Sequence, residues 1–546
     1  MKAAWRDRHS GLILFAIVGL ALGVRLAAVR FGLPGLNDPD ELIFEMGAFR
    51  MLRGLTLNPG WFGHPATTTM YVLALVDAAV FGGALLSGRV SSVRAFGDLA
   101  YADPTWVILP GRIAMVLFAA ATVWLTWRLA GKLFGRRAAV AAALLLALNP
   151  VHITWSQVIR SDIMACCFML LCLLSSLDIA RTGRWRDYGR AALWLGAAMA
   201  TKWPFAVSGL AMGASTLLAV RAGVLTPRQA TGRLLAASVA AGGFLILISP
   251  YLIIDYPTVL RNLKGEGQLH HLGANGGGVG FNLAWYMHGA LLDGFGVPGL
   301  ALIALGAVRL VRQREALATV VPVTLAFFLI ILVQRLVWER WALPLMVLGP
   351  IFAAAGVVAV GEWSARHDRL RWLPAAVLIA TAVPLGARAW ADGAARMNDT
   401  RQLAAAWARA HIPAGSTVLV EHQASDLSSA PWRLIFPIGD DGCVAIAALL
   451  HRQAGYSTID HARADRSNID YGTLPAARRP GCRADFAILA QYDRYRQERN
   501  VFPAEYAAYV GLLATGTVVA TFAPDYGRIG GPIVTIVDFR RKHLGR

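Results

Sequence analysis

GLILFAIVGLALGVRLAAVRFGLPGLNDPDE, residues Gly11–Glu41, holds the chain's two themes side by side. The run to Val29 is long enough to cross a bilayer, and three carboxylates, Asp38, Asp40 and Glu41, follow within a dozen residues. The basic segment before it, MKAAWRDRHS, and the absence of a small-residue cleavage site after it favour a retained helix over a signal peptide. Its N-terminus is then cytoplasmic. The carboxylates emerge on the outer side.

The rest of the chain repeats the first theme. Of its 546 residues 56% are hydrophobic and 16% charged, against about 25% charged in soluble proteins. That deficit implies lipid-facing surface and excludes disorder, a collagen-like chain or a disulfide scaffold. Further apolar runs lie at 107–131, 137–152, 163–181, 188–203, 204–221, 232–253, 295–311, 316–333, 341–359 and 372–388. A run at 67–86 is ambiguous, since it is apolar but contains Asp77. Basic turns at Lys132/Arg136/Arg137, Arg181–Arg190, Arg221–Arg233, Arg309–Arg314 and Arg366–Arg371 all become cytoplasmic if 67–86 stays in the outer leaflet. The expectation is a mainly α, polytopic bundle of about eleven crossings. Much of the +19 net charge then faces anionic inner-leaflet lipid and not nucleic acid.

From about Ala389 the composition turns polar. Helix-like Thr400–His411 and Pro503–Leu513 alternate with strand-like STVLVEH at Ser416, DFAILA at Asp485, TVVATFAP at Thr517 and PIVTIVDF at Pro532. Residues 1–388 are read as a membrane domain and 389–546 as an extracytoplasmic α/β domain. The protein is expected in the plasma (inner) membrane, multi-pass. Cys166, Cys167 and Cys172 lie in an apolar run and read as core thiols. Cys443 and Cys482 fall in the outer domain, where a bridge is expected.

The carboxylates return on the same face. After the third crossing, NPVHITWSQVIRSDIM carries Arg160 and Asp162 in an outer turn. Charge at a membrane rim is costly and usually has a task. Plainer readings stand beside the functional one: Asp38 or Asp40 as a helix N-cap, Arg160–Asp162 as a salt-bridged turn, Lys202 snorkelling at a helix end, Arg340 pairing with Glu339, and Arg112 as an interfacial anchor. Glu266, His270 and His271 in the Gly-rich loop 255–280 could hold a divalent metal, but adjacent histidines lack an H-E-x-x-H spacing. An acceptor-binding loop is the better reading.

Taken in order, the D-E pair at 40–41, His64-Pro65-Ala66-Thr67, R-I-A-M-V-L-F from Arg112, R-S-D at 160–162, G-A-A-M-A-T-K ending at Lys202 and E-R-W-A-L-P from Glu339 resemble a GT-C glycosyltransferase. The nearest likeness is to protein O-mannosyltransferases and lipid A aminoarabinose transferases. The segment NDTRQLAAAWARAHIPAGSTV from Asn398 looks like the external domain of bacterial members. The resemblance departs at Ala66, where the family has a second proline, and at His64, which stands in for its basic residue.

The resemblance implies that a hexosyl or pentosyl group moves from a polyprenyl-phosphate carrier to a hydroxyl of a lipid, glycan or protein acceptor on the outer face, with inversion. That chemistry needs a base for the acceptor proton and cations for the departing phosphate. Asp40 is the expected base, with Glu41 orienting it or gripping the acceptor and Asp162 completing the site. Arg160, Lys202 and Arg340 are expected at the phosphate, and Asp38, His64, His270 and His271 as further substrate-binding groups. A transporter or flippase of lipid-linked substrates is the alternative. It should show inverted repeats and charges at mid-bilayer, whereas these charges cluster at outer helix ends.

Overall fold

The computed structural model describes residues 2–421, 425–445, 461 and 468–540. Among the described residues, nine helices are long and apolar enough to cross a membrane, or ten if one bent pair counts as a span. The protein is an integral, multi-pass membrane protein. In chain order its first elements are α1 (Lys2–Leu26), α2 (Glu41–Gly54), α3 (Thr67–Leu86), α4 (Val93–Ala102), α5 (Thr105–Phe134), α6 (Arg136–Ala147), α7 (Pro150–Ser156), α8 (Ser161–Thr182) and α9 (Trp185–Thr201). The count differs from eleven for identifiable reasons. The apolar part of α1, Ser10–Leu26, falls short of a full span, and α9, expected as the span 188–203, is only 17 residues long and is not among the nine, while α3 meets the length and apolarity required despite Asp77. Keeping α3 out of the crossings therefore rests on loop charge alone.

The run 137–152, read as one span, is broken by its own sequence. Leu148 ends α6, the Asn149 side chain accepts from the His152 backbone N–H, and Pro150 opens α7. The two helices meet at 59°. Asn149 and proline at the first helical turn are strong start signals for a new helix. The break matters because α7 then delivers the loop 157–160, with Arg160, to the cavity.

α8 and the helix Leu343–Ser364 form the most enclosed part of the bundle, and Pro227–Ile248 lies at its periphery. The three cysteines of α8 are buried there, as the apolar run suggested. The helix Leu292–Val311 lies directly against Leu343–Ser364. Gly306 and Gly356 make this possible, because a Cβ at either would collide with the main chain of Phe352 or Leu302. Small residues at a crossing let membrane helices approach closely enough for dispersion to hold them.

The polar part carries a six-stranded mixed sheet: β1 (Thr417–Val420), β2 (Arg433–Pro437), β3 (Cys443–Ala445), β4 (Phe486–Leu489), β5 (Thr517–Phe522) and β6 (Val534–Asp538). The strand order is β3-β2-β1-β4-β6-β5. β1 runs parallel to β2 and β4, and the other pairs are antiparallel. The four strands read from sequence are β1, β4, β5 and β6. β2 and β3 were not read. The composition shift drawn at 388–389 falls inside the helix Leu373–Met397, and the helix Thr400–His411 follows it. Cys443 and Cys482 are bridged, with Cα atoms 5.1 Å apart.

This polar C-terminal part grips the loop that carries the first carboxylates. Gln402 and Asn37 exchange side-chain hydrogen bonds of 2.9 and 3.0 Å, and Arg401 donates to the Asn37 carbonyl at 2.8 Å. Leu272, from the long Gly-rich loop, is buried among Tyr471, Leu474, Tyr495 and Tyr509 of the C-terminal part. The two parts enclose a cavity of about 2400 Å³.

Candidate active site

Asp40 stands at the N-cap position of α2, yet its side chain makes no capping bond. The carboxylate is free for other partners and keeps 39% of its surface exposed. Its Oδ2 lies 2.6 Å from Nη1 of Arg160. Nη2 of the same guanidinium donates to both oxygens of Asp38, at 2.9 and 3.1 Å. Asp38 also accepts from the Asp40 backbone N–H at 3.1 Å and so closes the turn before the helix. Burial alone would raise the Asp40 carboxyl, but the Arg160 and Arg340 charges outweigh it and hold it below the usual carboxylate range. Asp40 is an ionised, partly open carboxylate on the cavity wall. Asp38 is the anchored member of the pair.

Arg160 is held for this task. It precedes α8 in extended backbone and rests over the Trp155 ring, with Cζ 5.5 Å from the centroid. The Trp155 indole N–H donates to Glu339 Oε2 at 2.7 Å. Glu339 is thus occupied, and the expected local pairing with Arg340 does not form. Arg340 instead lies 4.4 Å above the ring of Trp338, lines the cavity and makes no ion pair among the described residues. It is the cation with charge to spare.

Lys202 and Asp162 meet from different segments. The chain around His64 and that around Lys202 lie antiparallel: Ala66 N–H donates to Thr201 O at 3.1 Å and Trp203 N–H to His64 O at 2.7 Å. Lys202 Nζ is then 2.6 Å from Asp162 Oδ1, both nearly sealed. Asp162 Oδ2 has no hydrogen-bond partner among the described residues. His64 packs edge-on against Trp61, with centroids 5.0 Å apart, and its Nδ1 is 3.4 Å from Ser161 Oγ. Burial first, and the neighbouring Lys202 ammonium second, drive the His64 pKa well below its ordinary 6.5. Burial thus disfavours the imidazolium form of His64, which lines the cavity.

Three sequence-based assignments need correction. Glu41 was expected beside Asp40 in the chemistry, but it is fully buried and points the other way. Its two oxygens take both Nε and Nη2 of Arg112, at 2.8 and 2.7 Å, and Oε1 also accepts from Ile159 N–H at 2.9 Å. Adjacent residues on a helix cannot share a face, and the second face here meets α5. Arg112, read as an interfacial anchor, has no exposed surface and also holds the Val29 and Phe31 carbonyls. The pair pins α2 and the 157–160 loop to α5, so the carboxylate expected to orient Asp40 or grip the acceptor is turned away from the cavity. His270 is exposed and does not line the cavity, whereas His271 does and packs on Trp338 at 4.8 Å. Among the described residues no group of three or more His, Cys, Asp or Glu side chains is arranged to hold a metal ion.

Sequence reading missed several groups on the cavity wall. Trp155 and Trp338 carry the two arginines, with Tyr286 bonded to Trp338 from behind the lining, and Glu421 and Asp470 line the cavity in the polar C-terminal part. Glu45 of α2 and Asp77 of α3 form a carboxyl–carboxyl contact sealed from solvent beside Gly111. The structure provides no cation for that pair among the described residues.

Residues 105–254 match the family model described as dolichyl-phosphate-mannose-protein mannosyltransferase. The stretch contains Arg112, Arg160, Asp162 and Lys202. The apo oligosaccharyltransferase of Archaeoglobus fulgidus shares 12% identity over 96% of this chain and 75% of its own, with a TM-score of 0.51. The fold is GT-C-like. ArnT from Cupriavidus metallidurans in the apo state aligns over 97% of this chain and 98% of its own at 14% identity and a TM-score of 0.49. The same protein bound to undecaprenyl phosphate gives 12% identity and 0.48. No curated protein matches the chain by sequence. The resemblance drawn from ordered motifs therefore holds at the level of fold, and for residues 105–254 at the level of sequence.

Proposed function

We propose that the protein is a membrane glycosyltransferase that moves a sugar from a polyprenyl-phosphate carrier to a hydroxyl acceptor on the outer face, with inversion. One observation carries the reading. An ionised, uncapped carboxylate, Asp40, shares a cavity with an unpaired guanidinium, Arg340, and with the Lys202–Asp162 pair. A base and a phosphate-sized cationic patch on one wall are what a displacement at an anomeric carbon requires.

In the proposed step the acceptor oxygen bonds to the anomeric carbon while its proton passes to Asp40. The bond from that carbon to the carrier phosphate breaks, and its electron pair leaves with the phosphate oxygen. Arg340 takes the developing charge, because Lys202 already shares its own with Asp162. The lipid tail has apolar wall to follow at Phe205, Phe327 and Ile331. The neighbouring Asp38 shares Arg160 with Asp40 and orients it.

The test is transfer by purified protein in detergent from polyprenyl-phosphate sugars, scored by mass spectrometry of lipid, glycan and protein acceptors. The deletion strain, profiled alongside, should lack one hexose or pentose on one of these classes. Retention of every surface sugar by the deletion strain, together with no transfer in vitro, would sink the reading.

A further inference from the structure

Arg340 is the most consequential cation in the cavity, yet nothing on its own short helical turn fixes it. Its support comes from the segment before it. Residues 335–338 form the edge against which the Gly-rich loop lies: Gly276 N–H donates to Arg335 O at 2.9 Å and Val337 N–H to Ala274 O at 2.9 Å, an antiparallel bridge between Asn275 and Leu336. The approach is so close that a Cβ on Gly276 would stand 2.7 Å from the Arg335 carbonyl. At the end of that edge Trp338 is fixed by Tyr286, whose hydroxyl bonds both its N–H and its carbonyl at 3.2 Å. The ring of His271 meets Trp338 from the loop side, and Arg340 rests on the Trp338 ring.

The loop in turn is held from the outer part of the protein. Glu498, at the end of the helix Tyr492–Gln497, accepts from Gly273 N–H at 2.8 Å and from Asn275 Nδ2 at 2.6 Å. Leu272 beside it is buried in the same outer core as Tyr495. One carboxylate thus clasps the loop one residue from where it pairs with the Arg340 segment.

We propose that Glu498 is a positioning residue that sets Arg340 over the cavity, so that the outer domain governs the affinity of the site for a lipid phosphate. The inference rests on the phosphate role given to Arg340 above. Without the carboxylate, the loop loses its fixed Gly273–Asn275 turn, the strand-like edge at 335–337 loosens, and the Trp338 platform under Arg340 shifts. Mutations along contiguous runs of packed and hydrogen-bonded groups can change coupling by about 2- to 30-fold in binding.

The experiment measures binding of undecaprenyl phosphate to the full chain in detergent, for the wild type, Glu498→Ala, Arg340→Ala and the double variant. Glu498→Ala should weaken binding about 3- to 10-fold with an unchanged thermal midpoint. Glu498→Gln, which keeps one acceptor oxygen, should recover part of the loss. In the Arg340→Ala background, removal of Glu498 should change nothing further. A merely structural role would lower affinity by the same factor in both backgrounds, and that result overturns the proposal. Equal binding by wild type and Glu498→Ala also overturns it and leaves the glycosyltransferase reading intact. If the wild type does not bind the phosphate at all, both fall. Should Glu498→Ala fail to fold, Glu498→Gln and Asn275→Ala carry the same cycle against Arg340→Ala.

Discussion

The two ends of the cavity solve the same problem, a carboxylate out of bulk water, in opposite ways. At the membrane end Asp40 is surrounded by guanidinium groups, keeps a face to the cavity and stays ionised. At the cavity's other end Glu421, just beyond β1, makes no ion pair among the described residues. Its oxygens take backbone N–H groups from Tyr471, Ala490 and Gln491 and the Tyr509 hydroxyl. Asp470 beside it takes the Tyr495 hydroxyl at 2.7 Å. Burial, with the Asp470 charge second, pushes Glu421 up to about 7, and burial pushes Asp470 up to about 6. Cations hold a charge ready for use. Neutral donors instead hold a carboxyl group as part of the fold, at the cost of its readiness to ionise.

That contrast breaks most sharply at Asp40. Asp40→Asn keeps the shape and removes the proton acceptor. Transfer should fall by about 10²–10⁴-fold, while undecaprenyl-phosphate binding and the thermal midpoint stay near wild type. Near-normal turnover by this variant would make Asp40 another structural carboxylate like Glu421 and end the contrast.

Glu41 tests it from the other side, since it belongs in sequence to the membrane end and in character to the fold. Removing it leaves the Arg112 charge buried without a counter-ion. Loss of one partner of a buried pair costs about 3–5 kcal/mol. Glu41→Ala should therefore unfold at a markedly lower temperature in detergent. Full stability with lost transfer would return Glu41 to the chemistry.

Much of this site was legible before any coordinates. In a chain with 16% charged residues, a carboxylate or cation at the end of an apolar helix stands out, because burying it uselessly is costly. Asp38, Asp40, His64, Arg160, Asp162, Lys202 and Arg340 all line the one cavity. What the sequence could not give was direction. Asp40 and Glu41 are neighbours in the chain, and only the packing of α2 on α5 decides that one faces the cavity and the other Arg112. Nor could the braces be read: Trp155 and Trp338 are two of 17 tryptophans, and nothing local distinguishes a platform from a lipid anchor. β2 and β3 escaped for a similar reason. RLIFP ends in proline and CVA is three residues long, and both depend on pairing with strands remote in sequence. The long β-branched strands β5 and β6 needed no such help.

The outer end makes its own prediction through pH. Glu421 has an ordinary value of 4.5 and sits at about 7 in the folded protein. Below 4.5 it is protonated in both states and contributes nothing to the pH dependence. Between 4.5 and 7 the folded protein binds more protons than the unfolded chain, so stability falls as pH rises. The loss is complete above 7 and amounts to about 3 kcal/mol. Asp470 adds to it in the same direction over about pH 4–6. Thermal unfolding of the full chain at pH 5 and pH 8 should show the decline, and Glu421→Gln should flatten it. An equally steep decline in Glu421→Gln would mean that groups other than Glu421 set the pH response.

The smallest expected effect separates the two aspartates that share Arg160. Asp38 accepts two bonds from that guanidinium and one from the Asp40 backbone. Asp38→Asn keeps an acceptor oxygen for one of these roles but loses the charge that draws Arg160 toward the turn. Arg160 should then lean more fully on Asp40, making it a weaker base and slowing transfer about 3- to 10-fold, a cost of about 1 kcal/mol in the usual range for one charge-assisted bond. The pH–rate profile sharpens the point: its acid limb should keep its shape in Asp38→Asn, because the titrating base is still Asp40. If Asp38→Asn abolishes transfer while Asp40→Asn retains it, the base lies two residues upstream. Asp40, despite its open face, would then be the orienting member of the pair.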